Sequence, residues 1–187
     1  MITRILPPEA VHQGDLILVN AHHPCHPLPQ PDLVTVAGTG VQLERRAAQA
    51  LDSLMAAIDG WKGIVPVSGW RALAEQQAIW DGSLAENGLP FTQTYVACPG
   101  CSEHQTGLAI DLGLNQGEID FIRPAFPYEG LCQTFRQTMA QYGWVQRYPA
   151  GKEAITGIGH EPWHFRYVGQ PHAALMAERD LTLEEYI

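Results

Sequence analysis

The hydrophobic pattern of the chain changes period several times, and each change marks an element. From Val41 to Ile58 apolar residues recur at three and four (Leu43, Ala47, Leu51, Leu54, Met55, Ile58), the spacing of one helical face, and Gly60 follows as a stop. Ile64-Val65-Pro66-Val67 reads as a short strand, with Ser68-Gly69-Trp70-Arg71 turning off its end. A second helix is predicted from Ala72 to about Glu86, stopped by Gly88, and Thr92 to Ala97 is expected to be extended. Leu108 to Leu114 is apolar except for Asp111 and Gly113, the pattern of a core strand. Phe121 to Gly130, with Pro124 and Pro127, is a loop, and Leu131 to Tyr142 is a third helix ended by Gly143. Trp144 to Tyr148 and Trp163 to Val168 are strands, the second alternating Trp163, Phe165 and Tyr167 against His164, Arg166 and Val168. Thr182-Leu183-Glu184-Glu185 matches a capping box and opens a short last helix.

Residues 1–40 carry many prolines and little periodicity, and Asp15 to Asn20 is their one strand candidate. Helices come before and between strands, without repeats or a linker. The pattern predicts a single α+β domain over residues 1–187, with residues 1–40 as its loop-rich N-terminal part.

Composition narrows the function. The chain has 187 residues, enough for a proper core, and a formal net charge of −9, which argues against a nucleic-acid surface. No apolar stretch approaches the roughly 20 residues of a membrane span. The N-terminus lacks the apolar core of a signal peptide, so a cytoplasmic location is expected. Of the four cysteines, Cys98 and Cys101 form a CxxC, but the second CxxC of a zinc ribbon is missing. Two thiols in a tight turn is the default for that pair. His22-His23-Pro24-Cys25-His26-Pro27 resembles a metal tract, yet its prolines fix an extended path that need not converge the side chains, and an ordered surface loop is expected.

The chemistry concentrates between Cys98 and Gly113. Asp111 in the middle of an apolar run is costly to bury unless it is paired or bound to a metal. His104 precedes it by seven residues, and imidazole and carboxylate are both ligand types that zinc prefers. A third ligand is sought in His160-Glu161-Pro162-Trp163-His164. That string matches HExxH, but glycines at 157 and 159 and Pro162 inside the motif argue against the helix on which HExxH depends. His164 instead begins a strand that can pair with the Asp111 strand, and Glu161 hangs in the turn before it. The expected site is zinc on His104, Asp111 and His164, with one position open to water and Glu161 unbound beside it.

Three segments carry a resemblance. Ser68-Gly69-Trp70-Arg71 with Gln76, then Ser102 to Asp111 (S-E-H-Q-T-G-L-A-I-D), then Glu161 to Gly169 (E-P-W-H-F-R-Y-V-G) resemble the VanY-type D-alanyl-D-alanine carboxypeptidases. The resemblance is nearest to the VanXY branch, which combines D,D-dipeptidase and D,D-carboxypeptidase activity in glycopeptide-resistant bacteria. It implies a small domain with a central antiparallel sheet and flanking helices, shared with lysostaphin-type peptidases and the hedgehog signalling domain. It implies one zinc per chain on His104, Asp111 and His164, and Glu161 as catalytic base and acid. It also implies that Arg71 faces the developing oxyanion, and that Gln76 and Ser102 hold the substrate's backbone and terminal carboxylate. Trp163 is expected to be a packing wall, and Glu103 to serve solvent or an outer shell.

The substrates implied are the D-Ala-D-Ala dipeptide or a peptidoglycan precursor stem. Two other readings stay open. An L,D-carboxypeptidase trimming tetrapeptide stems uses the same motifs, and a binding module on the same fold keeps zinc without catalysis. Retention of Glu161 and Arg71 favours an enzyme, since a pure binder needs neither.

Overall fold

The computed structural model of the protein describes residues 5–25 and 30–187. Two short strands come first, β1 (Leu33–Thr35) and β2 (Gln42–Glu44), antiparallel with Val34 opposite Leu43. Helix α1 (Arg45–Ala57) follows, then β3 (Ile64–Ser68), α2 (Leu73–Asn87) and α3 (Leu89–Tyr95). A 3₁₀ turn at Glu103–Thr106 leads into β4 (Ala109–Leu114). The remaining elements are α4 (Gly130–Met139), β5 (Trp144–Tyr148), the single turn α5 (Glu153–Thr156), β6 (Glu161–Tyr167), α6 (His172–Arg179) and α7 (Leu183–Tyr186). The architecture is α+β, built on an antiparallel four-stranded sheet in the order β3-β4-β6-β5. Among the described residues no helix is long and apolar enough to cross a membrane.

Strand alternation sorts β4 and β6 into two environments. Ile110, Leu112 and Phe165 join Leu51, Leu54 and Met55 of α1 and Cys132 and Phe135 of α4 in the main core. Phe126, Phe135 and Phe165 meet there edge to face, with centroids 4.7 to 5.6 Å apart. Removing one such ring would cost about 3–5 kcal/mol. Asp111, His164 and Arg166 alternate with these apolar residues, yet they are just as deeply buried. A second apolar cluster of Leu16, Leu18, Val145, Val168, Met176 and Leu183 fastens the N-terminal segment to β5, α6 and α7.

Four elements differ from the sequence pattern, each for a local reason. Helix α1 starts at Arg45 rather than Val41, because the Glu44 carboxylate caps it by accepting from the Arg46 and Ala47 amides while Gln42–Glu44 pairs with β1. Asp15 to Asn20 forms no strand. Leu16 ends a 3₁₀ turn, and the carbonyls of Asp15 and Ile17 accept from the buried guanidinium of Arg166 instead of a neighbouring strand. Thr92 to Ala97, rich in β-branched residues, is helical as far as Tyr95. Pro90 opens that helix, and the buried Ser83–Thr92 hydroxyl contact holds it against α2. Helix α6 arises where the pattern predicts no element. The loop from Phe121 and the helix from Leu131 match expectation, the latter finishing as a 3₁₀ turn at Ala140–Tyr142.

Candidate active site

Asp111 of β4 pairs directly with His164 of β6 across the ladder, so the two side chains leave the sheet side by side. His164 Nδ1 lies 2.9 Å from Asp111 Oδ1. His104 comes in from the 3₁₀ turn, with Nε2 3.2 Å from Asp111 Oδ2. One ligand atom from each of His104, Asp111 and His164 falls within a 4.8 Å cluster, and all three residues are buried.

The remaining ring nitrogens are spoken for. His104 Nδ1 donates to the Gly69 carbonyl at 2.6 Å, which turns its Nε2 lone pair toward Asp111. His164 Nε2 donates to Glu103 Oε2 at 3.3 Å, which leaves Nδ1 for the cluster. Two imidazoles, each oriented by an outer hydrogen bond, and one carboxylate form the donor set of a catalytic zinc centre with an open position. On these grounds the residues present fit that metal.

The electrostatics of the metal-free cluster separate the two histidines. Burial, reinforced by the neighbouring Arg71 guanidinium, lowers His104 to about 4, so its imidazole is neutral near pH 7 as a metal ligand must be. Burial also opposes charge on His164, but hydrogen bonds to Asp111 and Glu103 outweigh it and raise that residue to about 9, so a metal taken up at Nδ1 displaces a proton held there by Asp111. Burial works against Asp111 ionising too, and His104 and His164 overcome it to hold the carboxyl well below the usual range.

Glu161 stands beside the cluster. It is the first residue of β6 rather than part of the preceding turn, and it pairs with Tyr148. In a regular strand a residue three positions from His164 would face away from it. Here the register slips between Gln146 and Tyr148, next to Pro162, which has no amide for the ladder. Glu161 Oε2 consequently sits 3.7 Å from His164 Nδ1. Burial pushes Glu161 up to about 8 against the pull of His164.

Arg71 closes another side. The turn after β3 is anchored by Trp70 N donating to the Gln42 carbonyl, and Gly69 packs so closely there that any side chain would overlap that carbonyl. The Arg71 guanidinium donates to four partners: Nε to Ser68 Oγ at 2.8 Å, Nη1 to Gln76 Oε1 at 3.0 Å, and Nη2 to His104 Nε2 at 2.9 Å and Asp111 Oδ2 at 2.8 Å. Gln76 Nε2 donates in turn to the Ala97 carbonyl, so this amide braces the arginine. Arg71, Gln76, Ser102, His104, Asp111, Glu161 and His164 all line one pocket, with Trp163 forming part of its wall. Every site residue named from the sequence is therefore gathered in one place.

Glu103 is the residue the sequence understates. It is 1% exposed and shares its carboxylate between His164 on one oxygen and Arg147 and Arg166 on the other. Burial disfavours its charge, but the two arginines and His164 more than compensate and hold it ionised far below the usual carboxylate range. No local signal in the sequence marks it, because its two arginines lie on β5 and β6, far along the chain.

Other candidates stand apart. His22 and His23 occupy an exposed turn whose amides donate to Asn20 Oδ1, and His26 lies outside the described residues. Cys98 and Cys101 are free thiols in a turn closed by Cys101 N donating to the Cys98 carbonyl at 2.8 Å. The HExxH string runs into a strand from Glu161 onward, and His160, just before it, meets Tyr128 instead of the cluster.

Comparison with known proteins points the same way. Residues 40–170 match the family described as VanY: D-alanyl-D-alanine carboxypeptidase. The chain is 44% identical over 175 residues to the bifunctional D-Ala-D-Ala dipeptidase and D-Ala-D-Ala carboxypeptidase VanXYC of Enterococcus gallinarum, spanning 91% of this chain and 92% of that protein. It superposes with a TM-score of 0.92 and 51% identity on the vancomycin resistance D,D-dipeptidase VanXYg in complex with a D-Ala-D-Ala phosphinate analog, covering 97% of this chain and 73% of that one. A mutant of the D,D-pentapeptidase VanY from a VanB-type resistance cassette, in complex with Zn(II), superposes with a TM-score of 0.78 and 31% identity, over 92% of this chain and 98% of that one. The buried His-Asp-His cluster thus lies within the matched region, and the chain belongs to the VanY family of D-alanyl-D-alanine carboxypeptidases.

Proposed function

We propose that the protein is a zinc-dependent D,D-peptidase that removes C-terminal D-alanine from peptidoglycan precursor stems and hydrolyses D-Ala-D-Ala. The observation that carries this reading is the pre-oriented cluster of His104 Nε2, Asp111 and His164 Nδ1 with the unligated Glu161 carboxylate at its edge. His104, Asp111 and His164 would hold the ion. When bound, zinc supplies Lewis acidity, which polarises a carbonyl oxygen and makes water nucleophilic near neutral pH.

The chain's own residues supply the rest. Glu161 takes the proton of the attacking water and returns it to the leaving amine, a role suited to a buried carboxylate that stands beside the ligands and outside their set. Arg71, held by Ser68 and Gln76, presents a fixed positive charge beside the ligands and stabilises the oxyanion as the carbonyl becomes tetrahedral. Ser102, on the pocket wall, meets the substrate's terminal carboxylate, and Gln76 keeps the arginine in place for it. Burial of this set excludes bulk water and strengthens each of these interactions.

The strong likeness to D,D-dipeptidase and bifunctional relatives favours D,D-substrates over tetrapeptide stems. Free D-Ala-D-Ala and soluble precursors are cytoplasmic, and that is where this activity would meet them. Product analysis on D-Ala-D-Ala, D-Ala-D-Lac, and tetra- and pentapeptide precursors tests the proposal, with and without chelator. Release of D-alanine from the dipeptide and the pentapeptide, abolished by chelation and restored by zinc, is expected. Turnover of the tetrapeptide alone would overturn it in favour of an L,D-carboxypeptidase.

A further inference from the structure

The buried pair Glu103 and Arg147 does not end at the active site. Arg147 Nε donates to Glu103 Oε1 at 2.8 Å, and its other two nitrogens grip Glu184 of α7, Nη1 to Oε2 at 2.9 Å and Nη2 to Oε1 at 2.6 Å. The Arg147 side chain is 0% exposed, so its charge is answered by these two carboxylates and not by water. Asn20 Nδ2 donates to the same Glu184 oxygen, at 3.1 Å. Helix α7 is itself fixed by the Thr182–Glu185 capping box and by Leu183 buried in the second apolar cluster. The Arg147 guanidinium also lies 4.9 Å over the Tyr148 ring, whose other neighbour is the His164 ring at 4.9 Å.

We propose that α7 is a positioning element for the metal centre: Glu184 fixes Arg147, Arg147 fixes Glu103, and Glu103 sets the orientation and donor strength of His164. The inference rests on His104, Asp111 and His164 holding zinc, as proposed above. The physical reason is charge balance. Glu103 and Glu184 face Arg147 and Arg166, two anions against two cations. Arg166 has most of its donors occupied by the carbonyls of Asp15, Ile17 and Tyr167. Glu184 therefore neutralises the arginine that would otherwise draw hardest on Glu103. With Glu184 gripping Arg147, Glu103 keeps negative charge available for the His164 Nε2 proton, and a stronger acceptor there makes Nδ1 a better electron donor. Without it, Arg147 turns its unbalanced charge on Glu103 and toward the ion.

The test measures zinc affinity by chelator competition, the visible spectrum of the cobalt-substituted protein, the melting temperature of the metal-free protein, and kcat and KM. Zinc binding by the wild-type chain, lost in His104→Ala, checks the underlying assignment separately. Glu103→Gln should weaken zinc binding by about 10- to 100-fold, the usual range for loss of an outer partner. Glu184→Gln, far from the reacting atoms, should weaken it by a smaller factor of about 3 to 10. It should also shift the cobalt bands and lower kcat with little change in KM. Because both act through one path, the double variant should bind zinc no more weakly than Glu103→Gln alone. Glu184→Asp keeps the charge and should retain affinity between wild type and Glu184→Gln. If Glu184→Gln does not fold, Glu184→Asp carries the test, with a zinc affinity below that of the wild type expected. Wild-type zinc affinity and cobalt spectrum in the Glu184 variants, with only the melting temperature lowered, would overturn the proposal and leave α7 a structural clasp. Strictly additive losses in the double variant would overturn the route through Glu103.

Discussion

Asp111 and His164 face each other across one rung of the β4–β6 ladder, 53 positions apart in sequence and 2.9 Å apart at their polar atoms. The rung makes two of the proposed ligands a property of the sheet, so their spacing is as rigid as the backbone that carries them. His104 enters from a 3₁₀ turn and depends on the Gly69 carbonyl for its orientation. The first prediction follows from this set. The pure protein should bind one zinc per chain, and His104→Ala should lose more than about 100-fold in affinity, beyond the range for an outer partner. A metal titration that gives the variant wild-type affinity would remove His104 from the site.

Glu161 is predicted to matter for turnover alone. Glu161→Gln should fold and keep zinc, because the carboxylate lies 3.7 Å from His164 Nδ1 and outside the cluster. Its kcat should fall by at least about 10²-fold, since the attacking water loses its proton acceptor. An unchanged kcat would exclude Glu161 from the mechanism.

Arg71 makes four hydrogen bonds in four directions, and lysine cannot reproduce that fork. Arg71→Ala should reduce kcat by about 10²–10³-fold, equivalent to about 2.7–4 kcal/mol of transition-state stabilisation. Arg71→Lys should recover only a small part of it. Steady-state kinetics decide the matter: an effect confined to KM would make Arg71 a ground-state binding group.

Gly69→Ala tests the turn. An added methyl overlaps the Gln42 carbonyl and the Val41 side chain, so the turn must move, and the carbonyl that holds His104 Nδ1 moves with it. A loss of about 1–3 kcal/mol in unfolding free energy is expected, together with weaker zinc binding. Denaturation and chelator competition on the same sample would show whether the two effects arise together, and wild-type zinc affinity would break the link.

The loop after β4 divides in two. Phe121 and Ile122 line the pocket, whereas Phe126 is buried against Phe135 and Phe165 and its carbonyl accepts from Arg136. Only the first half can act as a rim, and shortening the whole loop would damage the core. Phe121→Ala should lower turnover of D-Ala-D-Ala more than that of a pentapeptide, because only the dipeptide depends on contacts at its free amino end. Equal slowing of both substrates would assign Phe121 a supporting role without selectivity.

The gathering of the candidate residues was more legible in the sequence than the elements around them. Asp111 announces itself because a carboxylate in an apolar strand must be answered nearby, and the strand at His164 was the place to look. Glu103 was not legible, because burial cannot be read from a residue whose partners Arg147 and Arg166 lie 44 and 63 positions away. Glu161 lies beside the cluster as the sequence suggests, but on a strand and not in a turn, since the register slip beside Pro162 belongs to a pairing with β5 that no local pattern encodes. Thr92, Thr94 and Tyr95 favour extended backbone by propensity, and tertiary packing against α2 overrides it. The run from Leu16 to Val19 has the apolar content of a strand, but the donor that the carbonyls of Ile17 and the preceding Asp15 meet is a guanidinium contributed by Arg166.

The Asn20–Glu184 contact spans 164 positions, and Arg166 reaches Asp15 and Ile17 across 151 and 149. Early and late parts of the chain are thus knitted together immediately behind the metal cluster. During synthesis His104 and Asp111 emerge before His164, and well before the helix that backs it. Folding from the N-terminus onward cannot assemble the centre in instalments. Ion uptake then waits until the strand that carries His164 and the helix behind it have been made. A ribosome-arrested chain ending before Trp163 should take up no ion in a chelator-exchange assay, whereas one extended to include α7 should acquire it, and uptake by the shorter chain would refute this order of assembly.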